Sequence, residues 1–175
     1  MFTYEFDWSV LWREPYGQWM LSGIWTTIHL SLLAWGIAVS LGLIVGVFRV
    51  LPNRFTRFIG ASYVELIRNT PYLVQLFFWY FAVPSILPKA GETWLYDHVP
   101  NLPYWTGVIC LGVYTASRVG EQIRAGMLSI PRDQYQAAFS TGLSTYQVYR
   151  YVIIPYAMRI IMPPFTTEFL TCFKN

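Results

Sequence analysis

The chain has 175 residues and a formal net charge of +3, with 55% hydrophobic and 12% charged residues. A soluble domain carries about 25% charged residues, so this composition excludes an ordinary water-facing surface. The mild positive charge, in a chain this apolar, marks loops on one side of a membrane rather than a nucleic-acid-binding face.

At the N-terminus Glu5, Asp7 and Glu14 outnumber Arg13, the reverse of a secretory signal. No formal charge occurs from Pro15 to Phe48, from Asn69 to Pro88 or from Val99 to Ser117. A helix needs about 20 apolar residues to cross a bilayer, and each run reaches or approaches that length. The first span is predicted near 23–48, ending at the basic stretch around Pro52. A second element covers about 58–83 and must break or restart at Pro71, which lacks an N–H. The segment from 84 to 103 is rich in Pro and Gly and reads as a loop. A third span is predicted over 104–127 and a fourth over 152–173. The chain then stops at "TCFKN", where the sequence reads as truncated.

Orientation follows from the basic residues. Residues 49–70 hold four arginines and residues 118–150 hold four more, against one basic residue each in the N-terminal tail and in 84–103. The positive-inside rule puts the N-terminus and 84–103 outside, with 49–70 and 124–150 in the cytoplasm. Trp94, Tyr96, Tyr104 and Trp105 flank the outer loop as an interfacial belt.

Between the last two spans lies a polar interlude, "SIPRDQYQAAFSTGLSTYQVYRYVIIP". Pro131 and Asp133 suit the first turn of a helix. Ala137 and Ala138 give it a slim face, and Gly142 is a left-handed stop. Ser144 and Gln147 have capping-box spacing, so a second short helix starts there. The pair, about 131–150, is either an amphipathic loop on the membrane surface or a lever that docks into a cytoplasmic partner.

Charges inside spans face a partner or a water-filled path. Arg118 and Glu121 are three residues apart and can pair on one helix face. Arg159 and Glu168 fall in the fourth span, where Thr166, Thr167 and Glu168 form a polar patch after Pro163 and Pro164. Read from the residues, that patch can hydrogen-bond between helices to a second subunit. Glu65, Arg68 and Arg124 read as interfacial anchors or structural ion pairs. Cys110 and Cys172 read as buried small residues, and His29 and His98 belong to no ligand constellation. There is no nucleophile–base pair, no metal cluster and no GxxxxGK[ST] phosphate loop. Any ATP-driven function needs another chain to bind the nucleotide.

The interlude resembles the cytoplasmic signature of ABC-importer permeases, E-A-A, three residues, G, nine residues, I-x-L-P. Here Gln136-Ala137-Ala138 is followed after three residues by Gly142 and after nine by Val152-Ile153-Ile154-Pro155. Gln replaces Glu, Val replaces Ile and Ile replaces Leu. "YVELIRNTPYLVQLFFWYFAVP", "SRVGEQIRAGMLSIPRDQYQAA" and "YRYVIIPYAMRIIMPPFTTEFLTCFKN" are similar to further segments of the polar-amino-acid permeases. The likeness is greatest to the glutamate/aspartate group, which also carries arginine at the position of Arg118.

The resemblance implies an all-α, type I ABC-importer permease fold, with four spans visible and a fifth missing. It implies a multi-pass bacterial inner-membrane subunit, without enzymatic activity or cofactor, for import of polar, acidic amino acids. ATP and magnesium would sit on separate ATPase subunits, docked through Gln136, Ala137, Ala138, Gly142 and Pro155. A second permease chain, a paralogue, and an external binding protein would complete the assembly in the lipid. Arg118, Glu121, Thr166, Thr167 and Glu168 are its path candidates, Arg118 as a fork for a substrate carboxylate. An ATP-independent carrier or channel for small polar solutes is the alternative.

Overall fold

A computed structural model describes residues 7–175, so Glu5 lies outside the described residues. Helix α1, Tyr16–Val50, is 35 residues long and apolar all round. At 1.5 Å per residue it measures about 52 Å, longer than a hydrocarbon core of about 30 Å. It begins seven residues before the predicted start of the first span. With an 18-residue stretch of mean hydropathy 2.2 it is the one helix, among the described residues, that qualifies as spanning by length and apolarity alone.

Helix α2, Arg54–Arg68, starts at Asn53, whose side chain accepts from the Phe55 N–H at 2.8 Å. The chain then breaks at Asn69–Pro71, where the missing proline N–H requires it, and resumes as α3, Tyr72–Phe77. Gln75 holds the break together. Its buried amide donates to the carbonyls of Ile67 at 2.7 Å and Thr70 at 2.9 Å. A π-turn, Phe78–Ala82, leads on to α4, Val83–Ile86.

The segment read as an outer loop contains a ten-residue helix, α5, Lys89–His98. Pro88 stands at its N-cap and Glu92 lies in its first turn, a charge that suits the helix dipole. Asn101, at φ 54°, turns the chain into α6, Leu102–Leu128.

Helices α1 and α6 form the centre of the bundle, packed along most of their length. The contact depends on small residues. On α1 the buried stripe is Ser31, Ala34, Ala38, Gly42, Val45 and Gly46. On α6 it includes Gly112, Ala116 and Gly120. A Cβ added at Gly42 would lie 2.5 Å from Val119 Cγ1, and one at Gly112 would lie 2.8 Å from Ile37 Cβ. Small residues every four positions let helix backbones approach closely where no aqueous hydrophobic effect drives them together.

Helix α7, Arg132–Ser140, follows Pro131, which occupies the N-cap position. Gly142 adopts φ +75°, and Ser144 and Gln147 form both halves of a capping box for α8, Thr145–Val148. The second short helix is not a separate element. It continues through a π-turn, Tyr149–Ile153, into α9, Ile154–Cys172. Pro155 falls two residues after that π-turn, and Pro84 falls two residues after the π-turn at Phe78–Ala82. A proline ring in a regular α-helix clashes with the carbonyl four residues back, and a wider turn gives it room.

Helix α9 packs on α6 and α1. Trp35 contacts Phe165 and Phe169 edge-on at 4.9 and 5.3 Å, and Ser31 donates to the Cys172 carbonyl at 3.2 Å. Both cysteines are buried and free. Outward faces carry many exposed large apolar side chains, among them Leu21, Trp25, Leu32, Phe58, Leu66, Phe77, Phe81 and Leu170. Apolar exposure on this scale needs a non-aqueous surrounding or a partner surface.

Candidate functional site: an exposed helical hairpin and a buried ion pair

The hairpin is built by local punctuation and held by one apolar cluster. Ile130, Ala138, Val148, Ile153, Ala157 and Ile161 form that cluster, with Tyr135 and Leu143 packed against it. The two alanines therefore divide their roles. Ala138 faces inward and ties α7 to α9, while Gln136, Ala137, Gly142 and Pro155 are exposed. Phe139 and Tyr146 add exposed aromatic surface to the same hairpin. Burial beside Tyr149 pushes the Tyr135 phenol above the ordinary tyrosine range.

The charged candidates separate into two groups. Arg118 does not pair with Glu121. Its guanidinium instead reaches across to α9, with Nη1 3.1 Å from Glu168 Oε1 and 3.3 Å from Oε2. Arg118 also lies over the Tyr114 ring at 5.6 Å. Its side chain keeps 39% exposure whereas Glu168 keeps 12%, so the arginine is the more accessible partner. Thr166 and Thr167 are exposed and donate to carbonyls of their own helix, those of Met162 at 3.0 Å and Pro163 at 3.3 Å. Each hydroxyl retains acceptor capacity. Arg159 is exposed on α9 and forms no ion pair with Glu168.

Glu121 belongs to the second group. It accepts from Arg49 Nη1 and from Arg124 at 2.6 Å, linking the end of α1 to α6. Arg49 received no role from the sequence because its partner lies 72 residues away. His29 bonds through Nδ1 to the Tyr104 hydroxyl, with its ring stacked on Trp25 and Tyr104. Among the described residues no group of His, Cys, Asp or Glu could hold a metal ion.

A cavity of about 690 Å³ lies between α1, α6 and α9 and is lined mostly by apolar side chains such as Leu43, Val47, Ile123, Met158 and Phe165. It offers a polar solute no partner. Polar groups lie elsewhere between α6 and α9, at Arg118 and Glu168 and at Gln122, which donates to the Pro164 carbonyl.

Over 179 aligned residues the chain is 42% identical to the glutamate/aspartate import permease protein GltJ of Escherichia coli (strain K12), covering 98% of this chain and 73% of that protein. A crystal structure of an amino acid ABC transporter with histidines superposes with a TM-score of 0.80 at 30% identity, over 98% of this chain and 74% of the solved one. The inward-facing MetNI methionine ABC transporter shares the fold, with a TM-score of 0.69 at 19% identity, over 93% of this chain and 73% of that one. The pattern of the binding-protein-dependent transport system inner membrane component matches residues 38–175. The all-helical chain, with its exposed signature hairpin and its ion-paired spans, belongs to this family of inner-membrane ABC-importer permeases.

Proposed function

We propose that this chain is the membrane-spanning subunit of an importer for acidic amino acids, powered by ATP hydrolysis on separate subunits. The observation that carries this reading is a single structural connection. The exposed hairpin runs without a joint from Ser144 into α9, and α9 carries the Glu168 that pairs with Arg118. A partner that moves the hairpin therefore moves one half of the only ion pair, among the described residues, that joins α6 to α9.

Gln136, Ala137 and Gly142, with the neighbouring Pro155, form the docking surface for an ATPase that holds ATP and magnesium. Ala138 contributes from beneath by fixing the hairpin's angle. The charge asymmetry supports a cytoplasmic hairpin and an external N-terminus. An external binding protein delivers the substrate, and a second permease chain, a paralogue, forms the other wall of the path.

In the path Glu168 acts as a resident stand-in for a substrate carboxylate. Arg118 prefers a bidentate oxyanion, and an incoming glutamate or aspartate side chain can take the place of Glu168. Thr166 and Thr167 offer further hydroxyls beside it. Glu121, held by two arginines, acts as a structural tie rather than a path residue.

The test is reconstitution of the full transporter with its ATPase. Loaded binding protein should stimulate ATP hydrolysis, and Arg118→Met should abolish glutamate uptake while leaving assembly intact. Gln136→Glu should strengthen docking where the ATPase presents a basic side chain. No stimulation by any amino acid, or unchanged uptake in the Arg118 variant, would overturn the corresponding part of the reading.

A further inference from the structure

A second polar region lies where the ends of α1 and α2 meet α6. Arg49, Val64, Glu65, Arg68, Asn69 and Glu121 wall a cleft of about 340 Å³. An account of its hydrogen bonds shows unused capacity. Both oxygens of Glu121 are taken, one by Arg49 and the other by Arg124. The Nε of Arg49 is buried and has no hydrogen-bond partner. Glu65 and Arg68 are one turn apart on α2, yet neither forms an ion pair within 4.0 Å among the described residues. Both lie near enough to act electrostatically on Arg49.

The cleft thus presents a carboxylate without a partner, guanidinium N–H groups without acceptors, and the Asn69 amide. A simple anion meets repulsion from Glu65 and Glu121, and a simple cation meets it from Arg49 and Arg68. A ligand carrying an oxyanion and an ammonium on neighbouring atoms meets complementary charge at both ends.

We propose that this cleft binds a zwitterionic α-amino acid at the cytoplasmic end of the bundle, apart from the Arg118–Glu168 pair. The proposal rests on the reading that the transporter carries amino acids, and it adds an exit-side site for them. The ammonium lies against Glu65 and the α-carboxylate against Arg68, Asn69 and the guanidinium edge that Arg49 presents to the cleft. An ethanolamine phospholipid headgroup has the same paired charges, so the experiment must separate the two sources.

The experiment measures binding of radiolabelled L-glutamate to the complete transporter in detergent, with the external binding protein omitted. Saturable binding should be displaced by glycine, a zwitterion, and not by glutarate, which lacks the ammonium. Glu65→Gln and Arg68→Gln should each weaken it by about tenfold or more, the scale of one charged hydrogen bond. Arg68→Lys should recover part of the loss, and Arg57→Gln, on the same helix but outside the cleft, should leave this binding in place. Equal affinity in wild type and both variants overturns the proposal, as does displacement by glutarate as effective as that by glycine. Ethanolamine lipid that co-purifies with wild type and is lost from both variants, with no glutamate bound, also overturns the amino-acid assignment. Hydrolysis stimulated by loaded binding protein, measured on the same wild-type sample, separates the failures. With stimulation present, a negative binding result refutes the cleft alone, and without it the transporter reading fails.

Discussion

Replacing Gly42 by alanine tests whether backbone proximity of α1 and α6 holds the bundle together. The new Cβ would lie 2.5 Å from Val119 Cγ1, 2.7 Å from Val119 Cβ and 3.1 Å from the Ala116 carbonyl oxygen. Relaxed carbon contacts sit at about 3.5–4.0 Å, so the two helices must separate locally by about 1 Å. Overpacking of a close-fitting core costs about 1–3 kcal/mol. For a chain of this size each kcal/mol moves the unfolding midpoint by about 2–4 °C, which predicts a fall of about 2–12 °C. Cys110 and Cys172 are 1% and 2% exposed, so a thiol-reactive fluorophore reports unfolding directly. Gly36, on the same helix, has no heavy atom within 4 Å of its added Cβ, so Gly36→Ala should leave the midpoint unchanged or raised. Adding Val119→Ala to Gly42→Ala removes the Cγ1 contact and leaves the Cβ contact, so recovery should be partial. Equal midpoints for the Gly42 and Gly36 variants would refute the reasoning.

Three further outcomes follow from other parts of the structure. Gly142→Ala places a Cβ at φ +75°, a strain of about 1–2 kcal/mol, and Gly142→Asn should be milder. Stimulated ATP hydrolysis should fall in that order, because the surrounding space is open and only the backbone is affected. Gln75→Met leaves the Ile67 and Thr70 carbonyls without their side-chain donor, a loss of about 1–3 kcal/mol that the thiol assay should register. Glu168→Gln should tighten the apparent affinity for glutamate in uptake, whereas Arg118→Lys, which keeps the charge but loses the planar fork, should weaken it. Shifts in the same direction would contradict displacement of Glu168 by substrate.

Local chemistry was legible in the sequence wherever neighbouring residues decide the outcome. Pro71 breaks the second element because no other residue can supply its missing N–H. Gly142, Ser144 and Gln147 shape the hairpin within a few residues of one another, and the structure follows them. Long-range choices were hidden. Arg118 has Glu121 one turn away, yet the three-dimensional arrangement gives Glu121 to Arg49 and Arg124 and leaves Arg118 to Glu168, 50 residues distant. Helix α5 was masked by the prolines and glycine around it, although Pro88 before Lys89 is a helix-start signal. The spacing Gly42-x-x-x-Gly46 was present and would have indicated the α1–α6 contact. Apolarity alone does not mark α6 and α9 as spans, because Arg118, Glu121, Arg124, Arg159 and Glu168 dilute them.

The helical run from Thr145 to Cys172, continuous through its π-turn and through Pro163 and Pro164, has a mechanical consequence. Ile161 of this rod rests on Gly126 of α6, where even a methyl group would not fit between them. That contact is a natural fulcrum. From it the rod extends 16 residues back to Thr145, about 24 Å, and seven residues on to Glu168, about 10 Å. The two ends of a rocking beam travel in opposite directions, in proportion to their arms. If the hairpin docks as proposed, a push on it reaches Glu168 as a shorter and reversed stroke, carried across Pro163 and Pro164, with α6 as the bearing.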